Sequence, residues 1–298
     1  MTGRDGASCA VTQDAPTAAS SSHPDRSAHP AHPAPVLEVR GATLAFHGRT
    51  LWSGLDLDVR PGEFLTVLGA NGSGKSTLLK ALLGVQRLGS GTIRIQGESV
   101  ARGRRRVGYV PQQRLIPTGT PMRGRDLVAL GVDGHRPGVR LRGRRALRAR
   151  VDAALAAVDG TELARRPIGQ LSGGEQQRMR VAQALVSDPA LLLCDEPLGS
   201  LDLHHQQEVV SLVDQRRRSH GTPVVFVTHD VNPVLPATDR VLYLAAGSHR
   251  LGRPEEVLRS DVLSELYGTR VDVAEVAGRI VVLGAPAHLD PHHWEEGA

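Results

Sequence analysis

The chain has 298 residues, a formal net charge of +5 and 40% hydrophobic residues, which supports a sizeable core and excludes a disordered or fibrous chain. No run of about 18 apolar residues occurs, so the chain is not expected to span a membrane by itself. Two cysteines, Cys9 and Cys194, exclude a disulfide framework and agree with a reducing compartment.

Residues 1–35 mix Ala, Ser, Pro, His and Asp without an apolar secretion core and are expected to form a disordered tail. Folded sequence begins at Val36-Leu37-Glu38-Val39, an extended run. Leu55-Asp56-Leu57-Asp58-Val59 alternates as a half-buried strand does, and the turn Pro61-Gly62 leads into a buried strand, Glu63 to Leu68. Short strands are predicted at Gly91–Gln96 and Val107–Val110. Leu147, Val151, Leu155 and Val158 recur at helical spacing, predicting an amphipathic helix over 145–158. The apolar strands Ala190–Cys194 and Val224–Val227 flank a polar helical stretch near 203–218. Strands alternating with helices argue for an α/β domain with a largely parallel sheet. Residues 269–284 read as a small β hairpin and 285–298 as a flexible tail.

Directly after the 63–68 strand stands Gly69-Ala70-Asn71-Gly72-Ser73-Gly74-Lys75-Ser76-Thr77, followed by a helical run. This is the pattern GxxxxGK[ST] between a strand and a helix. Its glycines let successive N–H groups point at phosphate oxygens, and the helix N-terminus adds its dipole. Lys75 supplies a mobile charge to the β- and γ-phosphates, and the Ser76 hydroxyl ligates Mg2+. Only two of the 36 cations are lysines, Lys75 and Lys80. The second is expected to be a solvated helix residue.

A second feature is the strand Leu191 to Cys194 ending in Asp195-Glu196, which places Asp195 to hold the magnesium shell and Glu196 to polarise an attacking water. A third is Leu171-Ser172-Gly173-Gly174-Glu175-Gln176-Gln177-Arg178, opening a helix that Ser172 caps: another anion-binding helix end. With this octet the sequence resembles the ATP-binding cassette (ABC) family over roughly residues 36–268, its motifs standing in the family's order.

The resemblance implies a P-loop NTPase cassette: a RecA-like parallel core, an antiparallel β subdomain, and a helical signature subdomain at about 113–186. It implies ATP and Mg2+ as cofactors. Phe46 stands where the family usually has a tyrosine stacking on adenine, and also reads as a core residue. Gln112 matches the glutamine that touches magnesium or water, with Gln113 as the alternative; Asp202 matches the loop crossing the dimer interface. His229 matches the switch histidine at the γ-phosphate. Two chains are expected to sandwich two ATP molecules, each between the phosphate loop of one subunit and Ser172–Glu175 of the other.

The segment His229 to Pro236, with Asp239 to Leu244, Val262 to Gly268, Leu203 to Glu208 and Pro121 to Arg136, is similar to the zinc/manganese importer branch. That likeness implies integral-membrane permease partners, an extracytoplasmic metal-binding protein acting indirectly, and a peripheral place on the cytoplasmic face of the membrane. Other cargo such as chelated iron is an alternative. So is a non-transport cassette acting on nucleic acid or in cofactor assembly, which the arginines Arg136, Arg140, Arg142, Arg144, Arg145, Arg148 and Arg150 would favour. No aromatic residues interleave with them for base stacking, so a solvated surface is expected and nucleic acid is not. Arg114 to Gly138 reads either as core or as a permease-docking groove. His204 and His205 are expected on an exposed helix face, Cys194 in the core, and His23, His29, His32, His288, His292 and His293 in tails capable of only weak metal binding.

Overall fold

The computed structural model describes residues 33–46, 49–100, 106–112, 115–133, 143–245 and 247–284. Two long strands, β1 (Leu37–Phe46) and β2 (Arg49–Val59), open the chain, followed by β3 (Phe64–Gly69) and α1 (Lys75–Leu82). Next come β4 (Ser90–Ile95), β5 (Glu98–Ser99) and β6 (Val107–Val110), then three helices, α2 (Gly124–Asp133), α3 (Arg144–Ala156) and α4 (Gly173–Leu185). The alternating part resumes with β7 (Leu191–Asp195), α5 (Leu203–His220), β8 (Val224–Val227) and β9 (Arg240–Ala245). It closes with β10 (Ser248–Gly252), α6 (Pro254–Val257), α7 (Ser260–Tyr267) and the hairpin β11 (Asp272–Val276) and β12 (Arg279–Leu283).

Six strands form the central sheet in the order β10-β9-β3-β8-β7-β6, parallel except for β10 at the edge. Because both faces are covered, its strands read as unbroken apolar runs rather than alternating ones. Leu191, Leu193, Val225 and Val227 face one core, shared with α1 and the four-stranded antiparallel sheet β2-β1-β4-β5. Leu192, Cys194, Val224 and Phe226 face the other, shared with α2 to α5. Phe64 and Phe226 stack there with ring centroids 5.5 Å apart. Cys194 is fully buried, and burial pushes its thiol pKa up, so it is an unreactive core residue as expected.

β1 and β2 extend beyond their sequence signals. The register between them shifts where Gly41 and Gly54 break the alternation, and Asp56 and Thr43 side chains accept the freed glycine N–H groups at 2.8 and 3.1 Å. The 115–133 segment divides between the two readings given it. Val128 is buried and Ile116, Met122 and Leu127 pack on the core, whereas Leu115 and Leu130 are 66% and 43% exposed. On α3 the described arginines Arg144, Arg145, Arg148 and Arg150 are exposed, as a solvated face requires. Arg136, Arg140, Arg142, the 1–32 segment and the residues after 284 lie outside the described residues.

Candidate nucleotide site

Parallel topology brings the ends of β3, β7 and β8 side by side, so the loops that follow them share one edge of the sheet. That carboxyl edge is where open α/β sheets place ligands. The loop after β3 has no room for side chains at its base: a Cβ on Gly69 would drive into the Leu244 carbonyl and come within 2.7 Å of Ser73 Oγ. Gly74, the N-cap of α1, has φ 97°, and a Cβ there would meet the buried indole of Trp52, 3.0 Å from Nε1. The loop thus rests on Trp52 and curls back on itself, with Asn71 and Gly72 exposed at its tip and Thr77 half-buried on the first turn of α1.

Lys75 is 5% exposed, and its ammonium donates to the carbonyls of Gly69 at 2.8 Å and Ala70 at 3.1 Å. Burial lowers its pKa from the ordinary lysine value, while the charges of Glu196 and Asp195 pull the other way. Ser73 Oγ is buried without a hydrogen-bond partner, an orphan that an anion's oxygen or its water would satisfy. A buried cation and an orphaned hydroxyl in a glycine cradle fit a phosphate group.

Asp195, the last residue of β7, accepts from Tyr109 OH at 3.1 Å and from Ser76 Oγ at 3.4 Å. Burial raises its pKa, and the neighbouring Glu196 charge adds to this; the Tyr109 and Ser76 hydrogen bonds act against them. A carboxylate and a hydroxyl drawn together in a half-buried place are the hard oxygen donors that Mg2+ takes. Glu196 follows at φ 44°, a left-handed backbone pinned by its N–H to Val227 O at 3.0 Å. Its carboxylate accepts from Gln112 Nε2 at 3.1 Å. His229 emerges exposed beyond β8, on a loop tied to β3 by Thr228 N–H to Val67 O at 3.1 Å. Phe46 closes β1 and pairs with Arg49; its side chain, like Gln113, lies outside the described residues.

The second group of residues, Ser172 to Glu175, begins α4. Ser172 Oγ accepts Glu175 N–H at 3.3 Å, and the Glu175 carboxylate accepts Ser172 N–H at 2.7 Å, a reciprocal cap. Burial would raise the Glu175 pKa, but the Ser172 N–H and hydroxyl and the charges of Arg166 and Arg178 outweigh it and hold it below the usual range. In a single chain, therefore, Glu175 caps its helix and pairs with Arg166 at 3.2 Å. Asp202 caps α5.

Three participants lie beyond the sequence reading. Tyr109 carries a hydroxyl to Asp195, legible only once β6 is known to lie parallel to β7. Trp52 supports Gly74 from a different sheet. His205 was expected on an exposed face; only His204 is there, 77% exposed and 3.3 Å from Glu208, while His205 turns against Gly174.

Fold and site together define a P-loop ATP-binding cassette. Residues 52–199 match the family model described as ABC transporter. The chain shares 36% identity over 236 residues with the zinc import ATP-binding protein ZnuC of Paramagnetospirillum magneticum, covering 79% of this chain and 84% of that one. With the manganese transport system ATP-binding protein MntB of Bacillus subtilis it shares 33% over 235 residues, covering 79% and 93%. It belongs to the ABC transporter family and is an ATP-binding subunit homologous to zinc and manganese importer ATPases. Among solved structures it is similar to CbiO1 of Clostridium perfringens, part of the ABC transporter complex CbiONQ, with TM-score 0.66, 25% identity, and 78% and 94% of the chains covered. It is also similar to the ATP-binding cassette MJ0796, solved as a dimer in a post-hydrolysis state with ADP and Pi, with TM-score 0.60, 26% identity, and 73% and 98% covered. Among the described residues no helix is long and apolar enough to cross a membrane.

Proposed function

We propose that this chain is the ATPase of an importer for a divalent metal, manganese or zinc, acting as a homodimer that closes on two ATP molecules. The observation that carries the catalytic part is the convergence at one sheet edge of Lys75, the Ser76–Asp195–Tyr109 hydrogen bonds and the Gln112–Glu196 pair. The names of the zinc and manganese relatives support the cargo. The cassette is assigned to residues 36–268 with a helical subdomain at about 113–186, and residues 269–284 to a hairpin extension.

In this reading Gly69 to Thr77 cradle the phosphates, and Lys75 leaves its carbonyl partners to meet the β- and γ-phosphate oxygens. Phe46 offers its ring to adenine. Ser76, Asp195 and Gln112 are the side chains that would hold Mg2+, which when bound neutralises the phosphate charge. Glu196 orients and polarises the attacking water, and its exchange of the Gln112 hydrogen bond for that water links the site to the segment beyond Pro111. His229 donates to the γ-phosphate. Ser172, Gly173, Gly174 and Glu175, with Asp202, complete the partner chain's site, so that hydrolysis releases the dimer. The permease docks from the membrane, with the chain peripheral on its cytoplasmic face, and an extracytoplasmic protein delivers the metal.

Uptake of radioactive manganese and zinc into cells lacking the chain tests the cargo. Reduced uptake of either is expected. Normal uptake of both with a defect in another solute would overturn the metal assignment and leave the ATPase intact.

A further inference from the structure

The loop from Glu196 to Asp202 is held by the helix it enters. Gln206 Nε2 donates to the carbonyls of Leu198 at 3.4 Å and Leu201 at 3.1 Å, with Ser200 at φ 65° between them. Asp202 accepts His205 N–H through Oδ1 at 2.9 Å, an N-cap bond. His205 then does what Gln206 does not. Its Nδ1 lies 2.8 Å from Asp202 Oδ2, so one residue engages both oxygens of that carboxylate. On the other side its ring occupies the space beside α4 where a side chain at position 174 would stand: a Cβ on Gly174 would drive into ring carbon Cδ2. Gly174 is buried, and the His205 side chain is only 33% exposed. The adjacent His204 turns away to Glu208. One imidazole therefore joins the start of α4 to the start of α5.

We propose that His205 is a positioning residue that locks Asp202 and the Ser172–Gly174 segment into one rigid unit before the partner chain arrives. This rests on the sandwich reading, in which both elements cross to the partner's nucleotide. Two elements ordered separately would each lose freedom on closure; joined in the free chain, they dock as one, so less entropy is lost in forming the dimer. An imidazole suits the role because its Nδ1–H reaches a carboxylate while its flat body fills a gap against a glycine. His205 touches no reacting atom, so its effect should fall on dimer closure and turnover rather than on the isolated chain's hold on nucleotide.

The test places His205→Ala and His205→Asn in a Glu196→Gln background and measures ATP-dependent dimerisation by analytical ultracentrifugation, with ATP binding to the dilute monomer measured alongside. Asn keeps a short N–H donor for Asp202 but lacks the ring. For the Ala variant we expect about tenfold weaker dimerisation, from the loss of a charge-assisted hydrogen bond and a packed ring, with monomer affinity unchanged within about twofold. The Asn variant should fall between Ala and His. With Glu196 intact, His205→Ala should lower kcat without raising the KM for ATP in proportion. Dimerisation as tight as with His205 present would overturn the proposal, as would an equal loss of monomer ATP affinity. Should the Ala variant not fold, the Asn variant alone decides by the same two measurements. Failure of the Glu196→Gln chain itself to dimerise with ATP would refute the sandwich reading, an outcome distinct from a failure confined to His205.

Discussion

Gln112 donates from Nε2 to the Glu196 carboxylate across 3.1 Å, joining the loop after the edge strand β6 to the end of its neighbour β7. The bond takes up one oxygen of the carboxylate proposed to orient water. Opening the Gln112–Glu196 pair thus frees that oxygen for the proposed water. The two carboxylates differ in what holds them. Asp195 is fixed by Tyr109 and Ser76, whereas Glu196 hangs from a left-handed backbone residue with Gln112 as its side-chain partner.

Lys75→Ala removes the buried ammonium from the cradle, and with it the hydrogen bonds to the Gly69 and Ala70 carbonyls. ATP affinity measured by calorimetry should fall by about 100-fold or more, roughly 2.7 kcal/mol. Arginine at this position should not rescue it, since a planar guanidinium is too bulky for a pocket in which the ammonium is 5% exposed. Normal affinity in Lys75→Ala would remove Lys75 from the phosphate site, and normal affinity in Lys75→Arg would overturn the steric argument alone.

Tyr109→Phe deletes a hydrogen bond that favours ionised Asp195. The Asp195 pKa is already raised by burial, so losing this bond raises it further, and protonated Asp195 is a poor cation ligand. Activity that needs the carboxylate is lost as pH falls through that pKa. The acid limb of the pH–rate profile should therefore move to higher pH in Tyr109→Phe, and half-saturation by Mg2+ should need more metal on that acid limb than on the plateau. An unmoved acid limb would show that Asp195 does not depend on Tyr109.

The terminal hairpin is fastened on both strands: Ser260 Oγ accepts Val273 N–H at 2.8 Å on β11, and Asn232 holds β12. Asn232 Nδ2 donates to Ile280 O at 3.0 Å and Asn232 Oδ1 accepts Ile280 N–H at 2.8 Å, so its amide stands in for a peptide group at the β12 edge. Asn232→Ala should cost about 1–3 kcal/mol by leaving both Ile280 groups unpaired. Hydrogen exchange at the Ile280 amide should accelerate while the amides of β3 and β8 stay protected. Unchanged protection at Ile280 would show that the Ser260–Val273 bonds and the apolar contacts hold the hairpin without Asn232.

Much of this architecture is legible in the sequence because its strongest signals are local. β3 and β7 are apolar runs buried on both faces, α3 shows its periodicity, and the phosphate-loop motif carries its residues within nine consecutive positions. The weaker readings fail where a contact comes from another element. Gly41 and Gly54 blur β1 and β2 because bulges break the period of two on which strand signals rest. His205 looks like a second exposed histidine after His204, and only the packing of α4 on α5 sets the two apart. Tyr109 reads as a strand residue, since its partner is 86 positions away.

The most direct test of the ATPase assignment is steady-state ATP hydrolysis by Glu196→Gln beside the unaltered chain, with ATP binding measured on both. Gln keeps the size of the side chain and can still bond Gln112, but it cannot polarise water as a carboxylate does. Hydrolysis should fall by about 100-fold or more, within the range that general-base removal produces, while ATP binding is retained and the ATP-bound form accumulates as a dimer. Hydrolysis at the unaltered rate would contradict the role of Glu196, and with it the chemistry assigned to this edge of the sheet.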